Sequence, residues 1–156
     1  MKKSTIIILA ILTTALVLIG LFLWFILYES TTDISQNPRF KNYLNNPFIV
    51  TRPVALYQNP NLANRYSDYY VDSFSEEDTT LLKKYNIGDT ITFTKAKRYF
   101  NNHVGETYYL LGREKLDTGE TIEFEYSLRL FEYYPTIWET DEEFSERRTP
   151  MKDLLK

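Results

Sequence analysis

The chain contains no cysteine, a single histidine and only five glycines among 156 residues. Without cysteine there are no disulfide staples, no thiolate metal ligands and no lipidated cysteine of a lipoprotein signal. One histidine, His103 in Asn101-Asn102-His103-Val104-Gly105, is too few for an imidazole zinc site. As a general base it needs a serine folded beside it, and no serine occupies a strand-to-helix elbow. His103 therefore reads as a solvated loop residue. Charge is the other absence, since Thr5 to Tyr28 carries none.

That stretch follows Lys2 and Lys3 directly, and sixteen of its positions between Ile6 and Leu27 are Leu, Ile, Val or Phe. Twenty-four residues at ~1.5 Å rise make a helix of roughly 36 Å, enough to cross a hydrocarbon core of ~30 Å. Thr13, Thr14 and Gly20 offset little of the gain from insertion, because threonine hydroxyls bond back to helix carbonyls. A cleaved signal peptide has an apolar region of only ~7–15 residues and then a small-x-small site. Here the run ends in Phe22-Leu23-Trp24-Phe25-Ile26-Leu27-Tyr28 with no such site after it. We read residues 5–28 as an uncleaved transmembrane anchor and residues 1–4 as a cytoplasmic tail. Lys2 and Lys3 before the helix, against Glu29, Asp33, Arg39 and Lys41 in the first fifteen residues after it, together with the short amino-terminal tail, favour the amino end inside and the carboxyl-terminal domain outside. Trp24 and Tyr28 suit the outer interface. The expected location is a bacterial-type inner (plasma) membrane, crossed once.

The remaining residues hold all 21 acidic side chains and 16 of the 18 basic ones, a net charge of −5. That disfavours nucleic acid as a partner. Residues 29–47 read as a polar linker and a short helix, with Asn37 as N-cap, Pro38 at the first helical position and Phe40, Tyr43 and Leu44 on one face. This segment either docks on an apolar edge or lies along the outer leaflet.

Residues 48–137 read as a β-rich extracytoplasmic domain. Phe48 to Tyr57 is a first strand with Pro53 at an edge or bulge, followed by a loop through Asn59–Asn64 and a strand from Tyr66 to Val71. Ser75-Glu76-Glu77-Asp78 starts a short helix through Lys84. Thr90 to Phe100 is a long strand whose apolar phase changes, which a bulge near Thr94–Lys95 explains. In Thr121 to Phe131, Ile122, Phe124, Tyr126, Leu128 and Leu130 alternate with Glu123, Glu125, Ser127 and Arg129, the pattern of a half-buried antiparallel strand. Thr107 to Leu111 is its partner, joined through Asp117-Thr118-Gly119-Glu120, with glycine where φ > 0 is needed. The expected fold is a transmembrane α-helix followed by a mainly-β domain, a small antiparallel barrel or sandwich with short peripheral helices.

Val54-Ala55-Leu56-Tyr57, Asn86-Ile87-Gly88-Asp89-Thr90-Ile91 and Tyr108 to Gly112 resemble the opening strand, glycine turn and later strand of bacterial SH3-like (SH3b) domains. The resemblance spans Phe48 to Phe131 and implies an SH3-like barrel with a cell-wall or peptide ligand. The family's Asn-Val-Arg and closing Gly-Trp-Val are absent, and Tyr66 to Lys84 is an insertion.

Asp117-Thr118-Gly119 spells the aspartic-protease tripeptide, but that chemistry needs two aspartates sharing a proton and an apolar approach strand. Gly112-Arg113-Glu114-Lys115 precedes it instead, and a hairpin turn accounts for the triplet. Asp68, Asp72, Glu76, Glu77 and Asp78 match no calcium-loop spacing and read as acidic surface. Glu123 and Glu125, about 7 Å apart on one strand face, read as solvent-facing. Lys95, Lys97 and Arg98 beside Tyr99 do not suffice for single-stranded nucleic acid outside the cytoplasm. In the charged tail 138–156, Thr140-x-x-Glu143 is a capping box, and Glu143 and Arg147 are spaced for an ion pair. Only Phe144 offers an anchor to a core, so the tail reads as mobile or loosely docked, with a partner-binding helix carrying Met151, Leu154 and Leu155 as the alternative.

We expect no catalysis, no cofactor and no metal. The first reading is an anchored envelope protein whose β domain binds a protein or cell-wall ligand, with Tyr57, Tyr66, Tyr69, Tyr70, Tyr133 and Tyr134 as the contact surface. The alternative is an inhibitor or immunity-type protein against an exported toxin or hydrolase, its acidic surface suiting a basic partner. A third, an anchored hydrolase, rests only on Asp117 and His103.

Overall fold

The computed structural model describes residues 3–59, 67–103, 105–128 and 134–153. Helix α1, Lys3–Leu27, is apolar all round, and among the described residues it alone is long and apolar enough to cross a membrane. None of its Ile7–Leu27 span is buried against the rest of the chain. Thr13 and Thr14 each donate to the carbonyl four residues back at 2.9 Å, which removes most of their cost in an apolar medium. Length and composition are compatible with a membrane anchor, and equally with a signal sequence.

One residue after α1 the chain enters a sheet. Its strands are β1 (Glu29–Asp33), β2 (Pro47–Ile49), β3 (Val54–Gln58), β4 (Tyr69–Ser73), β5 (Leu81–Tyr85), β6 (Thr90–Asn101), β7 (Gly105–Lys115) and β8 (Thr121–Ser127). The order is β1-β6-β7-β8-β4-β3-β5, with β2 pairing the start of β6. Every pair is antiparallel except β4 with β8. The sheet is open rather than a clear barrel, and the parallel pair rules out a simple meander. It curls nonetheless: from β5, Lys83 Nζ and the Tyr85 hydroxyl reach the Glu114 carboxylate on β7 at 2.9 and 2.6 Å.

Three local expectations are corrected. Residues 29–33, read as linker, form β1, because Ser-Thr-Thr needs no buried face to ladder onto the edge of β6. The expected helix through Lys84 is strand β5. Asp78 accepts from the Thr80 amide at 2.9 Å and its hydroxyl at 2.6 Å, and this side-chain turn directs the chain into an extended path. The first strand is split into β2 and β3 around residues 50–53, where Pro53 lacks the amide a continuous ladder needs. By contrast, Asn37 caps a 3-10 helix, Pro38–Tyr43, accepting from the Arg39 amide at 3.0 Å. That helix docks: Phe40 and Leu44 are buried in the core.

The β6 register shifts between Phe93 and Lys95, so Ile91 and Phe93 before the bulge and Ala96 after it all enter one core. Leu56, Val71, Leu110, Ile122 and Phe124 meet them there. Each large side chain so buried favours folding by about 2–3 kcal/mol. The mouth of this core is closed by Trp138, whose ring lies 4.5 Å from Phe48, 5.6 Å from Tyr126 and 5.8 Å from Tyr43. The segment around Trp138 is therefore docked. The Thr51 amide and hydroxyl donate to the Ile137 and Glu139 carbonyls at 2.9 and 2.7 Å. Helix α2, Asp141–Asp153, follows with the expected capping box, the Thr140 amide donating to Glu143 at 2.8 Å. Leu154, Leu155 and positions 129–131 of the expected last strand lie outside the described residues, as does the loop at 60–64.

Gly112 marks the tightest point of this packing. It sits between Phe93 on β6 and Phe124 on β7's other neighbour, β8. A Cβ there would overlap the Phe124 ring and lie 2.8 Å from the Thr92 carbonyl oxygen. Gly112→Ala is expected to lower stability by about 2–3 kcal/mol. Adding Phe124→Leu should recover only part of that, since the backbone oxygen stays in place. Denaturation followed by Trp138 emission measures both.

Candidate binding surface

The two faces of the central strands carry different chemistry. On the face opposite the main core, Tyr99, Tyr109 and Leu111 form a second buried cluster. Lys97 stands opposite Tyr109, and Leu111 stands opposite Glu125. Lys97 thus reaches across β7 to ion-pair with Glu125, its ammonium 5.4 Å from the centre of the Tyr109 ring. Glu125 is only 4% exposed. Its second oxygen, Oε2, has no hydrogen-bond partner.

Burial pushes the Glu125 carboxyl above its ordinary value, and the Lys97 ammonium and hydrogen bond oppose that rise without cancelling it. The solvent-facing reading of Glu125 is therefore corrected, while Glu123 beside it stays half-exposed near Lys95 and Arg113. Alternation alone assigns both glutamates to water. Only the joint register of β6, β7 and β8 shows that one of them is covered.

The six tyrosines do not assemble into one surface among the described residues. Tyr57 is 2% exposed, donates to the Ser73 carbonyl at 3.1 Å and accepts from the Ser75 amide at 2.8 Å. It is a structural residue that pins the turn after β4, and the contact reading of Tyr57 is corrected. Tyr70 stacks on it at 5.4 Å. Tyr69 packs against the main core, on the other face from Tyr70. Tyr134 is 61% exposed. Tyr66 and Tyr133 lie outside the described residues.

The remaining candidates separate in space. Asp117-Thr118-Gly119 is the exposed turn between β7 and β8, with Gly119 at φ 87° and its amide bonded to the Leu116 carbonyl at 2.8 Å. His103 is exposed in the β6–β7 turn, its amide donating to Asn101 Oδ1 at 3.0 Å. These turns are at opposite ends of β7, roughly 33 Å apart for ten residue steps, so Asp117 and His103 cannot act on one bond within a chain. Among the described residues, no three His, Asp or Glu side chains are arranged to hold a metal ion.

Among the described residues outside α1, the most exposed apolar side chains are Ile87 at 67% and Ile49 at 62%. They come together at one end of β6, because Val50 accepts from the Gly88 amide at 2.9 Å and donates to the Asp89 carbonyl at 2.8 Å. No motif pointed to this pair in the sequence, since each isoleucine sits in a segment read as strand or turn. Comparison with protein-family models, curated proteins and solved structures returns no match.

The Lys97–Glu125 pair gives a direct test of this face. Lys97→Met alone leaves a buried carboxylate uncompensated and is expected to cost about 3 kcal/mol. Lys97→Met with Glu125→Leu should return to within about 1 kcal/mol of the parent. The pH dependence has a definite sign. A carboxyl raised on folding stabilises the fold while protonated, and that contribution is lost as pH rises from the ordinary 4.5 through the folded value. Stability of Lys97→Met should thus fall more steeply above pH 4.5 than that of the parent, as read from denaturation midpoints.

Proposed function

We propose that this protein is a single-pass, membrane-anchored protein that presents a non-catalytic binding domain outside the cytoplasm. The observation that carries the reading is the junction between α1 and the sheet. Only Tyr28 separates Leu27 from Glu29, and the last turn of α1 is tied into the domain, where Asn102 Nδ2 donates to the Phe25 carbonyl. An apolar helix with no partner in its own chain, continuous with a folded domain, is best satisfied by hydrocarbon. Lys2 and Lys3 immediately before the apolar run, against Arg39 and Lys41 more than ten residues beyond it, favour the amino end inside.

The contact surface we favour is the end of β6 bearing Ile49 and Ile87, in place of the tyrosines. Paired exposed isoleucines suit a protein partner better than a polysaccharide, which is bound through polar groups and aromatic faces. The charge of −5 over residues 29–156 supports the inhibitor-type reading as the alternative, in which a basic exported enzyme is the partner. The resemblance to SH3-like domains adds a peptide ligand as a third possibility within the same binding class.

The absence of cysteine makes topology simple to measure. In intact cells, a membrane-impermeant maleimide is expected to label Thr118→Cys fully without permeabilisation, and carbonate washing should leave the protein in the membrane. Labelling only after permeabilisation would overturn the orientation. Photo-crosslinking groups at positions 49 and 87 should then give adducts of discrete mass that a group at 118 does not. Adducts lost at high salt point to the inhibitor reading, and salt-resistant ones to the apolar contact.

A further inference from the structure

The junction that fixes the anchor also places one part of the sheet at the bilayer surface. The Ile7–Leu27 span has 21 residues, about 31 Å of helix at ~1.5 Å each, which matches a hydrocarbon core of ~30 Å. Leu27 therefore lies at the edge of that core. Three contacts bring the β6–β7 turn to the same level. Asn102 caps the Phe25 carbonyl, the Tyr28 ring lies 6.3 Å from Phe100, and the Tyr99 hydroxyl donates to Glu29. Trp24, 5.6 Å from Tyr28, completes an aromatic set at that depth. Tryptophan and tyrosine settle at the headgroup layer because one end of each ring system is apolar and the other is polar.

We propose that the β6–β7 turn, with Phe100, Asn101, Asn102 and His103, is a second membrane contact that sits among lipid headgroups. This rests on the anchor reading. The side chains fit the setting: the Asn102 amide, with one N–H on Phe25, keeps a second for phosphate or ester oxygens, the His103 imidazole adds another polar group, and the Phe100 ring lies beside Tyr28. No acidic residue lies in the turn itself, and the nearest, Glu29 and Glu106, are held by Tyr99 and by Arg98 with Tyr108. The domain is then seated on the bilayer in one orientation, with no tether to swing on. Ile49, paired with Thr90 at the other end of β6, stands at most about 36 Å above the surface, eleven strand steps from Asn101.

The test uses the full-length chain in vesicles of phosphatidylcholine and phosphatidylglycerol, with one cysteine per variant carrying a spin label. Ala15→Cys reports on the anchor, His103→Cys on the turn, and Thr118→Cys on the opposite end of β7. Accessibility is read as the ratio of relaxation by oxygen, which partitions into lipid, to relaxation by a water-soluble nickel chelate. Trp138 emission checks that each variant is folded. The expected ratio at 103 lies between those at 15 and 118, and several-fold above that at 118. A ratio at 103 equal to that at 118, with 15 in hydrocarbon, overturns the headgroup contact and leaves the anchor standing. A water-exposed label at 15 removes the anchor, and the headgroup contact with it.

Discussion

Every other part of this structure takes its position from strand β6. Twelve residues long, it pairs with β1 and β2 along one side and with β7 along the other, and its last residues meet the end of α1. A strand that long with one buried face would expose half of its side chains. The bulge between Phe93 and Lys95 changes the rule midway, because a one-residue shift exchanges the two faces. Ile91 and Phe93 enter the main core from odd positions, and Ala96 enters it from an even one. Lys97 and Tyr99 are thereby turned to the opposite face, where Tyr109, Leu111 and Glu125 meet them. One irregular step in the ladder creates both the main core and the charged second face.

That second face has a cost which the main core does not. A carboxylate taken out of water is unfavourable by several kcal/mol even beside an ammonium, unless its remaining lone pairs are satisfied. Glu125 has its partner in Lys97, but Oε2 is unsatisfied, and burial raises the carboxyl. A hydrophobic pair of similar volume would stabilise the fold at least as well. What the ion pair adds is register: slipping β8 by one residue against β7 would strand both charges, which disfavours the misaligned sheet more strongly than apolar residues would.

Much of the fold was legible where one strand or one turn carried its own signal. The alternation in Ile122-Glu123-Phe124, the phase change around Thr94, Gly119 in the hairpin turn and Asn37 ahead of Pro38 all rest on neighbours in sequence. What stayed hidden depends on residues brought together from far apart. The parallel pairing of β4 with β8 has no local signature. Nor does β1, a polar strand whose only requirement is a free edge. The spacing of Glu143 and Arg147 suggested an ion pair, yet Glu143 is occupied as the capping residue of α2. Arg147 turns back to Glu139 in a two-pronged contact at 2.7 and 3.0 Å. Tyr57 and Tyr69 illustrate the same limit for the site, because composition offers tyrosines for contact and only the packing shows which ones are buried or packed on the core.

The stacking of α1, turn and sheet bears on how the anchored binding protein we propose would present a surface. A domain on a flexible linker samples many orientations, and a partner must select one of them at an entropic cost on binding. Here the linker is a single residue, and β1 continues from it into a ladder of five residue pairs with β6. Rotation of the domain about Tyr28 would have to break the Asn102 cap on Phe25 and separate the Tyr28 and Phe100 rings. These contacts are individually modest, but they act together on one joint. The end of β6 near Ile49 and Ile87 is thereby held in one direction relative to α1, which, in the anchored binding protein we propose, lowers the ordering cost for a partner.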